Sequence, residues 1–471
     1  YTVTGNYMGG KAPFAGGDTM RFITGTWTFF CLTFTPSVTG INTVNGNTIA
    51  NIHYTTTHSG TGSPLTGIRL YGSADFTLGA QGNGNTIENI TLTNNGSFNS
   101  EGFRGVMNLN SGINSIAYNT IRGITVNGTK DGALTILIEN NDGTTTIDNN
   151  ILGGSAPNNI FISSNSAFVA TYNNSASGIT FTNNTIQNID HNASTEFFFG
   201  LFNEAGPLTY TGNIIQNISI ASDNLHSMVQ HSGLASGAAT ISNNIFQNIT
   251  IENTGINASL YCILINTTSA VTIDSNTIGS EVGNNITING NAVSVGLYKA
   301  GSGLMTATGN IIQEINMTNT GSPQFAGILN EQGVLNANGN TIKNVDNAST
   351  IFNDIAIFGI ASVSDSTTHD ITKNIVQNLN ATTTVANGTG VIGMFVDMGS
   401  GRLTKNFVTG LTNTTPNGFI VGIYILSAGW DVHNNVIILD NSTNTNDIAL
   451  DGILSDVFAG ITEIYHNTVK I

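Results

Sequence analysis

The stretch GNTIKNV, Gly339–Val345, decides how the rest of the chain is read. It returns almost unchanged as GNTIANI from Gly46, GNTIENI from Gly84 and GNIIQNI from Gly212. With its first asparagine as a marker, the chain falls into register at Asn6, Asn47, Asn85, Asn119, Asn150, Asn184, Asn213, Asn244, Asn276, Asn310, Asn340, Asn374, Asn406, Asn435 and Asn467. These fifteen copies lie 29 to 41 residues apart. A period of that size points to a repeat architecture rather than to separate domains.

The position two after the marker is apolar in every copy, as at Ile49, Ile87, Phe246 and Ile342. A second apolar position usually follows five after it, as at Ile52, Ile90 and Val345. Between them asparagine recurs at Asn51, Asn89, Asn188, Asn217, Asn248, Asn344 and Asn378. The residue before the marker is usually Gly or Asn, the types that tolerate a left-handed corner. Helices would not keep such short apolar spacings beside Gly, Asn and Thr, whereas short strands joined by corners would.

A second anchor comes 16–20 residues later in most copies, as in LTGIRL from Leu65, AGILN from Ala326 and IVGIYIL from Ile420. Its glycine marks a place with little room for a side chain. Length varies mainly between the marker strand and this anchor, so the loops are expected there, including HSGTGSP from His58. Deleting that segment is expected to leave folding intact.

One such unit cannot bury its apolar face, but stacked units make a continuous core. The expected fold is all-β: a right-handed parallel β-helix of about 15 turns with about three short strands per turn, forming one domain over 1–471. Parallel crossovers are right-handed in nearly all cases. Equivalent residues then sit about 4.8 Å apart on successive turns. Asn47, Asn85, Asn184, Asn213, Asn244, Asn310 and Asn340, with Asn51, Asn89, Asn188, Asn217, Asn248, Asn344 and Asn378, are therefore read as structural hydrogen-bonding ladders.

Composition narrows function. Only 8% of residues are charged and the net charge is −16. With 12 Lys and Arg in all, phosphate neutralisation fails and nucleic acid is excluded as a partner. No stretch resembles a membrane span, so no membrane insertion is expected. Cys31 and Cys262 are several repeats apart and are read as unpaired buried residues. The start at Tyr1 and the lack of a polar cap lead to the expectation that the chain is an excerpt of a longer one, or that copies associate end to end.

The GNTIxNI copies, with GNYMGGKAPFAGG from Gly5 and NNILGGSAP from Asn149, resemble the right-handed parallel β-helix repeat proteins of Bacteroidota, of the pectin-lyase-like fold. The resemblance covers essentially the whole chain. It implies secretion to the cell surface or medium through the type IX system, and an extracellular protein or glycan as partner.

That fold also hosts polysaccharide lyases and glycoside hydrolases, but no adjacent Asp-Asp pair, Gly-His-Gly or Arg-Ile-Lys occurs. The best local charge cluster, Arg69, Glu101, Arg104, Lys130 and Asp131, is expected on the surface near the second anchor. A second group runs from Asp190 to Glu204, with His226 and His231 one turn on. No catalytic, metal or cofactor residue is assigned, and calcium, the cation to consider in this fold, has no motif. Thr-x-Thr pieces at Thr91, Thr180 and Thr209 are read as not persisting at one register. The expected function is a structural or adhesive extracellular solenoid (adhesin, stalk or filament component) without catalysis. The alternative is a carbohydrate-active enzyme or glycan-binding protein on the same fold.

Overall fold

The computed structural model describes residues 1–35, 40, 42–60, 62–96, 102–129, 132–233, 237–283, 285–319, 321, 323–348, 355–382, 388–440, 448–457 and 460–471. Its contacts divide into two compact units, 1–224 with 228–238, and 225–227 with 239–471. Each is a parallel β-solenoid built from three kinds of strand. Marker strands follow the marker asparagine, anchor strands carry the second anchor, and return strands lead to the next marker. Among the described residues the strands make about 13 turns, fewer than the expected 15, and no α-helix occurs. No helix there is long and apolar enough to cross a membrane.

In the first unit, marker strands Thr48–Thr56, Thr86–Asn94 and Thr120–Asn127 pair in parallel. Beside them run anchor strands Leu65–Gly72, Phe103–Asn110 and Ala133–Asn140, and return strands Phe76–Leu78, Ile113–Ala117 and Thr144–Asp148. The second unit repeats the plan, for example with Ile311–Met317, Phe325–Asn330 and Leu335–Asn338. Apolar positions stack by register, Ile49 on Ile87 on Ile121 in one unit and Ile312 on Ile342 on Val376 in the other. All six are buried. The anchor glycine is a close approach: a Cβ on Gly327 would sit 2.6 Å from the Gly359 carbonyl oxygen and 2.7 Å from Ile342.

The two asparagines of the repeat do different work. The marker asparagine is buried and makes the ladder. In the second unit the Asn310 backbone N–H and its Nδ2 both donate to Asn340 Oδ1, at 3.0 and 2.9 Å. Asn340 donates likewise to Asn374 Oδ1, both at 2.9 Å. Asn340 Nδ2 also donates to the Ala307 carbonyl at 2.9 Å. Asn244, Asn276, Asn406, Asn435 and Asn467 continue the same pattern. In the first unit it links Asn6, Asn47, Asn85, Asn119, Asn150, Asn184 and Asn213.

The second asparagine sits inside the marker strand with positive φ, 57° at Asn51 and 56° at Asn344. That explains the apolar spacing of three. A left-handed residue bends the strand so that both Ile49 and Ile52 face the core, which a straight strand of period two forbids. Gly123 and Gly410 fill the same bend, at φ of 61° and 63°. Side-chain bonds along this column are discontinuous: Asn217 donates to Asn188 at 2.9 Å and Asn378 to Asn344 at 2.8 Å, but Asn344 donates to Glu314.

One expectation needs correction. HSGTGSP is not a free loop: His58 and Ser63 are buried, and the Ser63 hydroxyl is within 2.6 Å of the Gly102 carbonyl, one turn on. Its deletion would strip contacts from the anchor sheet. The three Thr-x-Thr pieces do not persist at one register, but a single column of hydroxyl residues does. Thr2, Thr43, Thr77, Ser115, Thr146, Thr180 and Thr209 pair in sequence along the return strands of the first unit. Thr91 belongs to a marker strand, so it does not share the register of Thr180 and Thr209.

The two asparagine roles separate by substitution. Asn340→Ala removes an acceptor that serves two buried donors, each worth about 1–3 kcal/mol when left unpaired. Asn344→Gly keeps the left-handed bend and should be near neutral, while Asn344→Ala should cost about 1–2 kcal/mol. Melting temperatures should fall in the order Asn344→Gly, Asn344→Ala, Asn340→Ala. Equal losses at both positions would contradict this division.

Candidate functional site

The anchor strands of the second unit are apolar on both faces, as the runs GVIGMFV (Gly390–Val396) and FIVGIYI (Phe419–Ile425) show. Inward residues join the core. On the other face, Tyr298, Leu329, Ala361, Phe395 and Tyr424 pair in one column. Val295, Ala326, Phe358, Ile392 and Val421 pair in the next. Ala361, Ile392, Phe395 and Val421 form a buried cluster with Leu329, Phe358 and Tyr424 packed against it.

Side-chain size opens a groove of about 290 Å³ in this face. Tyr261 and Tyr298 stand at one end, with ring centroids 4.9 Å apart and planes at 25°. Phe358 and Phe395 stand at the other, 5.4 Å apart and tilted at 44°. Ala326, Leu329 and Ala361 lie between them. The polar lining is Glu331 and Gln324. The Tyr298 hydroxyl donates to Glu331 Oε2 at 2.6 Å. Burial, and then this bond, push the Tyr298 hydroxyl above its usual range, so it remains a donor. No Lys, Arg or His lines the groove among the described residues.

The first unit places the residues singled out from sequence differently. Glu101, Lys130 and Asp131 lie outside the described residues. Arg104 is not on the surface: it is 1% exposed, and its Nε donates to Glu139 Oε2 at 2.6 Å. Glu139 belongs to the next anchor strand, so the partner comes from one turn on rather than from the preceding loop. Asn141 Nδ2 donates to the other Glu139 oxygen at 2.7 Å. Removing one member of such a buried pair costs more than an exposed pair would. Arg69 lies one turn before, in a different column, with its guanidinium 4.9 Å from the Phe30 ring centroid.

The residues from Asp190 to Glu204 do not assemble a metal centre. Among the described residues no group of three His, Cys, Asp or Glu could hold an ion. His191 is fully buried, with Nε2 2.8 Å from the Ser166 carbonyl, and burial lowers its pKa to about 4. The Tyr172 hydroxyl donates to Glu204. Cys31 and Cys262 are free and buried, and burial raises each thiol to about 12.

One set of polar residues escaped the sequence reading. Asn108, Asn140, Asn173 and Asn203 form another buried ladder, with Nδ2 to Oδ1 distances of 2.6–2.7 Å. Asn203 Nδ2 then meets His231 Nδ1 at 2.8 Å. The signal was present: Asn108, Asn203 and Asn330 each fall three residues after an anchor glycine. Lys299 holds this register in the second unit, fully buried, and its Nζ donates to the carbonyls of Thr267 and Gly301.

Comparison with known protein families gives no match, and no curated protein matches the chain.

Burial lowers the Lys299 pKa from 10.5 to about 8. Between those values the unfolded chain holds a proton that the folded one lacks, so stability attributable to this residue rises with pH. Any stability advantage of Lys299→Met over the wild type should therefore shrink from pH 8 to pH 10. A difference independent of pH in that window would contradict the buried charge. His191 works at the acid end: its contribution should be complete above pH 6.5 and be lost toward pH 4. His191→Phe should flatten the melting profile there.

Proposed function

We propose that the protein is an extracellular adhesive solenoid of a bacterial surface, which recognises a glycan on the anchor face of its second unit without turning it over. Membership of the Bacteroidota repeat proteins, with type IX export, is part of this proposal and rests on the GNTIxNI resemblance. The observation that carries the reading is the groove between Tyr298 and Phe358. It is an apolar recess with two polar groups at its edge, on a sheet whose other face is locked into the core. Binding sites have that character: mostly apolar walls, with few convergent polar groups on a rigid support.

Catalysis on a glycan would need more. Hydrolysis takes two carboxyl groups flanking one bond. The described lining offers one, Glu331, engaged by Tyr298. Elimination of a uronate would want a base and a cation beside an acidic substrate. A net charge of −16 disfavours the approach of acidic chains. The fold by itself argues neither way.

Incubation with pectins, alginates and neutral polysaccharides, with and without calcium, should release no products, while surfaces coated with the recognised glycan retain the protein. Turnover that disappears in Glu331→Gln would replace the adhesive reading with the enzymatic one.

A further inference from the structure

We infer that the face formed by the return strands of the first unit binds ice, through the column of hydroxyls that runs from Thr2 through Thr146 to Thr209. This goes beyond the adhesive reading and does not rest on it, since that reading uses the anchor face of the second unit.

The column is a product of the fold, not of one loop. Each member lies on a return strand and pairs directly with the next, as Ser115 with Thr146 and Thr146 with Thr180. Successive members therefore recur about every 4.8 Å, the step of a parallel sheet. The residue after each one turns inward and is buried, as at Val44, Ile116, Ile147 and Phe181. Its carbonyl accepts from the marker asparagine one turn on. Asn85 Nδ2 donates to Val44 at 2.8 Å, Asn150 Nδ2 to Ile116 at 2.8 Å and Asn184 Nδ2 to Ile147 at 2.9 Å. The buried ladder thus pins these strands, and side-chain ladders are what keep a many-stranded sheet from twisting. Threonine adds a stiff χ1, so its methyl and hydroxyl are presented alike from turn to turn.

Chemistry selects the ligand. The column residues are exposed or half-buried and none is charged. Among the described residues, none of their hydroxyls has a protein partner. Two residues along the strand the situation differs, because the Thr182 hydroxyl donates to Asp148 Oδ1 at 2.7 Å. A free hydroxyl both donates and accepts, as water does. A small soluble ligand would engage two or three members of the row. An unbroken row at one repeat matches a ligand that repeats in the same way, and oxygens on the faces of hexagonal ice recur at close to the sheet step. Beside the row, Thr144, Gly178 and Pro207 flank Thr180 and Thr209 in a shallow trough of about 100 Å³, with room for several ordered waters. Waters held there widen the match from a line to a strip. A crystalline glycan also repeats, but the apolar faces of its sugars call for aromatic partners, and the row has none. In the second unit the equivalent column passes from Thr306 through Asn336 to Asp370 and Arg402, which pair at 2.7 Å. Charged groups hold hydration shells of their own, so the binding row belongs to the first unit.

The test is partitioning of the full chain into slowly growing ice, with thermal hysteresis read on single crystals. The wild type should enter ice about tenfold more than serum albumin does, and should open a hysteresis gap. Thr146→Tyr, in the middle of the row, should abolish both, and tyrosine suits an outward strand position. Thr146→Val keeps the shape without the hydroxyl and should weaken both several-fold. Arg402→Gln, in the second unit, should leave both unchanged. Melting temperature checks that each variant folds, and Thr180→Lys replaces Thr146→Tyr if the latter does not. The inference is overturned if the wild type is excluded from ice as albumin is, or if the folded row variants partition as the wild type does. It is overturned equally if Arg402→Gln loses as much as Thr146→Tyr. Microcrystalline cellulose and chitin are tested in parallel. Retention there without ice affinity, lost in Thr146→Tyr, would give the row to a solid glycan and overturn ice binding.

Discussion

A buried amide is costly unless every one of its bonds is made. The marker asparagine turns that cost into order. Its Oδ1 accepts from both the backbone N–H and the Nδ2 of the preceding marker, and its own Nδ2 reaches backbone carbonyls, as Asn340 shows. The arrangement closes only if the next turn presents another asparagine at the same height and azimuth. Register is therefore specified by hydrogen bonding as well as by apolar stacking. That matters in a repeat whose core columns are almost all Ile, Val and Leu, because such columns alone would tolerate slippage by one turn.

With the corners fixed in this way, the remaining positions are free to differ between units. The column three residues after the anchor glycine is filled by Asn108, Asn140, Asn173 and Asn203 in the first unit. In the second it passes through Lys299, Asn330 and Ser362. In the first unit an asparagine there bonds to its neighbours along the stack, whereas Lys299 finds two carbonyls instead. The outer anchor face diverges further. The first unit carries the buried Arg104–Glu139 pair, and the second carries the aromatic groove. The same repeat plan thus carries two chemically different outer columns in the two units.

A tyrosine bonded to a carboxylate one turn on recurs on the anchor face, as Tyr172 with Glu204, Tyr298 with Glu331 and Tyr424 with Asp456. Beyond Tyr298 the column runs through Leu329 to Ala361, with Ala326 in the neighbouring column, and a groove opens there. What distinguishes this groove from an ordinary outward pair is therefore the neighbouring Ala326 and Ala361, not the polar residues themselves.

The amino-acid sequence by itself determined the repeat, the marker at Asn340 and its equivalents, the inward Ile342 and Val345, and the tight anchor at Gly327. These are legible because they are periodic, and a stacked fold forces identical environments onto equivalent residues. Sequence left the two asparagines undivided, because both are compatible with a corner and φ is not written in residue type. Only the tertiary structure made one a buried ladder and the other a left-handed bend. It also decided that Arg104 meets Glu139, and that Tyr298 and Phe358 line one groove with Ala326 and Ala361. Those contacts join residues on different turns, and loop length between turns varies. The distance along the chain therefore carries no fixed relation to the distance in space.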